Sequence, residues 1–152
     1  MKRLIYLLEL VDYDYFDEVE NVDVEERWII GYFSSEESLN DAISLCNQRK
    51  NKNEKITITQ KLVECGNNQK YVYVLFYEYS IITDGEYVDY YEYFDPQSTY
   101  KKCIALKNEL IKDVKYQNDG HRIYDGTTDG FRVYKIKIDF ISHINYKMQT
   151  EK

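Results

Sequence analysis

Residues 31–46, Gly-Tyr-Phe-Ser-Ser-Glu-Glu-Ser-Leu-Asn-Asp-Ala-Ile-Ser-Leu-Cys, have a counterpart 61 positions downstream in residues 92–107, Glu-Tyr-Phe-Asp-Pro-Gln-Ser-Thr-Tyr-Lys-Lys-Cys-Ile-Ala-Leu-Lys. Each stretch closes an apolar run and passes into a helical pattern. In the first, Ser34 reads as N-cap with Glu37 three residues on, a capping box. Leu39, Ala42, Ile43 and Cys46 then recur at the spacing of one helix face. In the second, Asp95 reads as N-cap and Pro96 suits the first helical position, where its missing N–H costs nothing. Tyr100, Cys103, Ile104, Leu106, Leu110 and Ile111 form the matching stripe.

Working outward, each helix is preceded by two strand-like runs and followed by one. Leu4 to Tyr13 and Arg27 to Phe33 precede the first; Tyr71 to Ile82 and Tyr87 to Phe94 precede the second. Ile56-Thr57-Ile58-Thr59 and the run from Val133 to Ile138 follow, both alternating with period two. Ile5-Tyr6-Leu7-Leu8 overlays Val72-Tyr73-Val74-Leu75. The chain therefore reads as α+β, a duplicated ββαβ unit with about six strands and two helices. The sheets should be mostly antiparallel, with the helix on one face of each unit. Residues 1–64 form the first repeat and 70–141 the second, which alone carries a turn-rich insert at 115–130. The helix is expected to cross over right-handed and return strand three parallel to strand two, and the expected order has strand one at the centre of each sheet. The short linker Cys65-Gly66-Asn67-Asn68-Gln69 predicts two repeats packed as one compact body, either sheet against sheet or as one six-stranded sheet.

A tyrosine-rich strand, an acidic gap, a capped helix after an aromatic, and Asp129-Gly130-Phe131-x-Val133 opening the last strand form a recurring pattern. It resembles an uncharacterised family of small bacterial and phage strand–strand–helix–strand domains. The second half carries the resemblance best; Asn53-Glu54-Lys55-Ile56 in the first lacks the Asp-Gly-Phe element. The resemblance implies a fold and no activity.

Charge is distributed unevenly around a net −7. From Glu9 to Glu26 there are nine acids and no base; from Glu78 to Asp95, six acids and no base. Direct contact with nucleic-acid phosphates is disfavoured by that sign. Met1-Lys2-Arg3 leads into an apolar run that Glu9 interrupts, unlike a secretory signal, and no stretch approaches a membrane span of about 20 apolar residues. A cytoplasmic location is expected, with Cys46, Cys65 and Cys103 reduced and, for the two on helix stripes, packed as small hydrophobes.

The sequence offers little to catalysis. His121 and His143 lack partners at zinc-ligand spacing, and no phosphate loop, nucleophile elbow or His-Glu-x-x-His motif occurs. Asp12-Tyr13-Asp14-Tyr15-Phe16-Asp17 lacks the glycine and terminal glutamate of a calcium loop. No catalytic residue, cofactor or metal is expected. The acids interleaved with tyrosines instead suggest a recognition surface comprising Asp12, Asp14, Tyr15, Asp17, Glu18 and Glu20, with Asp84, Glu86 and Asp89 on the equivalent hairpin. The expected partner is a larger protein with a basic surface, such as a nuclease or toxin, masked by an inhibitor of the immunity or phage counter-defence (anti-CRISPR) kind. Neither nucleic acid nor membrane is an expected partner, and the chain is read as monomer or homodimer. The competing reading is a nucleotide or metabolite binder with a Tyr-lined cleft between the repeats, using His121, Arg122, Tyr124 and Arg132. A solvated acidic surface without a partner is the plainer reading of the same acids, and an enzyme using His121 with neighbouring carboxylates is the third class.

Overall fold

A computed structural model describes residues 1–17 and 22–142, with side chains placed for 1–12 and 26–142. The order is β1 (Lys2–Asp17), β2 (Val22–Phe33), α1 (Glu36–Arg49), β3 (Glu54–Glu64), β4 (Tyr71–Thr83), β5 (Glu86–Tyr93), α2 (Tyr100–Leu110), a 3₁₀ turn (Val114–Tyr116) and β6 (Phe131–Lys137). Each ββαβ run makes its own antiparallel three-stranded sheet, ordered β2-β1-β3 and β5-β4-β6. The first strand of each run is central, the order expected from the sequence. Among the described residues no six-stranded sheet forms. The chain divides into two compact units, Met1–Tyr71 with the segment from Ile136 onward, and Val72–Lys135.

Side-chain alternation explains each core. In the first unit Leu8 and Leu10 of β1, Ile30 and Phe33 of β2 and Leu39, Ala42 and Cys46 of α1 are buried together. Residues one position over, Ile5, Leu7, Val11 and Ile29, are buried on the opposite face of the sheet. In the second unit Leu75 and Tyr77 take the places of Leu8 and Leu10, joined by Cys103, Tyr116 and Phe131. Relative to the sequence overlay, β4 meets β5 two residues further along: Leu75 accepts from Phe94, whereas Leu8 faces Gly31. A slip of two leaves every side chain on its original face.

The helix starts differ from the capping pattern. Ser35, not Ser34, caps α1 by accepting from the Ser38 N–H. Thr99, not Asp95, caps α2, which begins at Tyr100. Gln97 explains the later start, because its N–H and C=O both pair with Tyr73 and hold it in a bridge outside the helix. Tyr100 is consequently 58% exposed, and the buried stripe of α2 is Cys103 with Leu106 and Leu110 beside it. Cys46 and Cys103 are fully buried, which pushes both thiols up to about 11 and keeps them protonated near neutral pH.

The segment after β6 lies along β2 of the first unit. Asp139 donates its N–H to Tyr32 and Ser142 donates to Ile30. Gly31 permits this approach: a β-carbon there would stand 2.7 Å from the Phe140 carbonyl oxygen. Among the described residues, no helix is long and apolar enough to cross a membrane.

Candidate functional site

β1 outruns its second neighbour. The β1–β3 ladder ends at Asp12↔Glu54, but the β1–β2 ladder continues through Tyr15↔Val24 to Asp17↔Val22. Residues 13–17 and 22–25 therefore form a two-stranded ribbon beyond the three-stranded sheet. A register irregularity between Asp12 and Tyr15 falls where the third strand stops, and such irregularities strengthen local twist. At that junction Asp12 stands between Glu26 and Glu54 in Cα register, three acids side by side. Glu54 is fully buried, and its carboxylate accepts from the Asn51 N–H at 2.9 Å.

The described acids predicted in the first hairpin accordingly lie on a strand and not in a loop. Asp12, Asp14, Tyr15 and Asp17 lie on β1, with Tyr15 and Asp17 placed by backbone register on the ribbon and Asp14 at the register irregularity. Glu18 and Glu20 lie outside the described residues. β-branched and aromatic residues alternate with the acids here, which favours strand over loop.

The equivalent hairpin is built otherwise. Asp84 and Gly85 both have positive φ, 51° and 79°, closing β4 onto β5 in the two-residue turn that suits strand twist. Glu86 opens β5 directly after that turn, and Asp89 accepts from the hydroxyl of Ser80 opposite it. Tyr79 and Tyr90, paired in register, stack at 5.2 Å, and Tyr91 stacks on Tyr93 at 6.3 Å. The Tyr79–Tyr90 stack holds the two strands together, while Tyr91 and Tyr93 stack along β5 itself. Tyr87, at 67% exposure, faces solvent.

The insert braces this hairpin. Ile123 forms a two-way bridge with Ser80, occupying the place beside β4 that β6 does not reach. Arg122 donates to the Tyr77 hydroxyl at 2.7 Å and to the Lys115 carbonyl at 2.6 Å, with its guanidinium 4.7 Å from the Tyr79 ring centre. The Tyr77 and Tyr124 hydroxyls share a hydrogen bond of 2.8 Å. Burial, then the bond to Tyr77, pushes the Tyr124 phenol up to about 12. Burial and the bond it donates to Glu92 likewise raise Tyr116. Arg132 donates to the Asp125 carbonyl and pairs with Glu78, to which Tyr134 also donates.

The four residues expected to bind a ligand therefore do not converge. Arg122 and Tyr124 meet at Tyr77 and face the protein's own sheet. Arg132 ties down the turn at Asp125. His121 is 81% exposed at its side chain and contacts Asp119, whose carboxyl its hydrogen bonds hold below the usual range.

One polar cluster escaped the sequence reading. The Asp139 carboxylate accepts from the Ser34 N–H at 2.6 Å, the Ser34 hydroxyl, the Ser38 hydroxyl at 2.6 Å and the Ser35 N–H at 3.3 Å. It thus satisfies the start of α1 from over 100 positions away. Burial opposes its charge, but the Ser34 and Ser38 bonds outweigh that and hold its carboxyl below the usual range. Among the described residues no group of three His, Cys, Asp or Glu side chains is placed to hold a metal ion. Comparison of the chain with protein-family models, curated proteins and solved structures finds no match.

Proposed function

We propose that the protein is a non-enzymatic binding factor whose acidic ribbon engages a basic surface on a larger protein. The observation that carries this reading is the extension of β1 and β2 beyond β3, which presents Asp14, Asp17, Asp23 and Glu25 on a strand pair with no base from Glu9 to Glu26. A run of acids with no base among them attracts a cationic partner and speeds encounter with it. Masking a nucleic-acid-binding groove of a nuclease or toxin is the use this geometry suits best, because such grooves supply the matching cations. Asp84 and Glu86 at the second hairpin extend the acidic character without sharing the ribbon. The ligand-binding alternative loses ground, since Arg122 and Tyr124 are occupied internally.

The test is affinity capture from the native host with the wild type and with Asp12, Asp14, Asp17 and Glu18 changed to Lys. A partner bound by the wild type, lost on charge reversal and weakened by salt supports the reading. Capture that survives the reversal in a folded variant sinks it.

A further inference from the structure

Three cations of the first unit lie together near the other end of β1. A cleft of about 580 Å³ is lined there by Arg3, Lys70 and Lys137, by the Asn67-Asn68 turn and by Phe140. That volume lies within the range of small-molecule sites, about 300–1,000 Å³. The walls are tied together: Ile138 donates its N–H to Lys70, and Arg3 donates to the Gln69 carbonyl at 2.8 Å.

The charge in this cleft is not neutralised from within. Among the described residues Arg3, Lys70 and Lys137 have no carboxylate partner. Lys137 instead lies 4.3 Å from the Phe140 ring centre. Asp139 is the acid in the lining, and its carboxylate is taken up by the four donors at the start of α1. Arg3 and Asp12 are separated by nine residues of one unbroken ladder, roughly 30 Å of strand. At physiological salt, screening acts over about 8 Å, so the ribbon's acids do not cancel these cations.

We propose that this cleft binds a mononucleotide. Arg3, Lys70 and Lys137 would meet the phosphate, for which an arginine fork and lysine ammoniums are the usual partners. The Phe140 ring, 55% exposed at the cleft wall, offers a stacking surface for the base. The Asn67 and Asn68 amides, exposed on their turn, supply donors and acceptors for its polar edges. The site shares no lining residue with Arg122 and Tyr124 and does not depend on the acidic ribbon, so either proposal stands if the other fails.

The experiment is an NMR titration of the isotope-labelled full chain at low salt with AMP, ATP, inorganic phosphate and a 5′-phosphorylated oligonucleotide. Expected are saturable shifts for AMP and ATP confined to amides of residues 67–70 and 137–140. The double variant Lys70→Gln/Lys137→Gln should weaken nucleotide and phosphate alike by about tenfold or more. Phe140→Ala should weaken the nucleotides by about tenfold and leave phosphate unchanged, the loss of one stacked base. Both lysines are exposed, so the variants retain the fold; the single variant Lys137→Gln repeats the test with one change. No saturable shift at millimolar nucleotide, unchanged affinity in the lysine variants, equal binding of phosphate and AMP, or tighter binding of the oligonucleotide would each overturn the proposal.

Discussion

The two hairpins begin from the same strand–strand plan and end in opposite ways. In the first, β1 and β2 run past β3, and among the described residues no third strand accompanies them beyond Asp12. In the second, Asp84-Gly85 closes a tight turn, and the insert reaches back through Ile123 to brace β4 at Ser80. The duplicated unit has thus placed its added residues differently, in ribbon length in one copy and in a brace in the other. A braced hairpin suits packing; a ribbon whose sequence carries acids and no base from Glu9 to Glu26 suits contact with a cationic partner.

Gly130→Ala should break that contrast most severely. Gly130 has φ 83°, and a β-carbon there would lie 2.7 Å from the Tyr124 ring and 2.8 Å from Tyr77. Strain plus overpacking should cost roughly 2–4 kcal/mol in urea denaturation. Amide exchange should quicken along β4 and β6 and stay slow in β1. An equal loss in both units would show that the brace is not local to the second hairpin.

Arg122→Ala comes next. It removes two hydrogen bonds and the stack on Tyr79, a cost of about 1.5–3 kcal/mol. The sharpest readout is exchange of the Ser80 and Ile123 amides, which bond each other's carbonyls. If Arg122 served a ligand instead, the variant would keep its stability and lose binding.

Asp139→Asn tests the first unit by the same logic and should cost about 1 kcal/mol, the scale of a helix cap with a favourable charge. The sign of its pH dependence follows from the lowered carboxyl. A group whose folded pKa is depressed stabilises fully above its unfolded value, about 3.9, and loses that contribution as pH falls through the folded value. The gap between wild type and variant should therefore be constant near neutrality and narrow below about pH 4. A gap that persists into acid would mean the carboxylate charge is not what stabilises α1.

These clusters also mark what a sequence can and cannot reveal. The apolar period of Leu39, Ala42 and Cys46 and the alternation in β1 and β4 are local, so fold class and strand order were legible. The caps were misread because the competing partners are distant: Asp139 binds Ser34, and Tyr73 holds Gln97 in an extended bridge. β3 runs Glu54–Glu64, well beyond Ile56–Thr59, since its Lys and Gln positions pair through the backbone while their side chains carry no apolar signal. Arg122 was legible as a cation near tyrosines, but its partner Tyr77, 45 positions earlier, was not. The acids were found and their setting was not. A dense run of carboxylates looks like a loop until the intervening Tyr, Phe and Val are weighed as strand formers.

The smallest expected effect bears directly on which hairpin binds. Asp84 adopts φ 51° at the first central turn position, a conformation that Asn tolerates at least as well. Asp84→Asn should therefore change stability by no more than a few tenths of a kcal/mol, in the stabilising direction, while removing one acid from the second hairpin. If the ribbon is the contact surface, a captured partner should be retained almost unchanged by this variant and lost on reversal of Asp14 and Asp17. If the second hairpin binds, the order of the two effects reverses, with the fold intact in both cases. Because Asp84→Asn leaves the turn in place, any loss of binding would report charge at that position and not a disturbed hairpin.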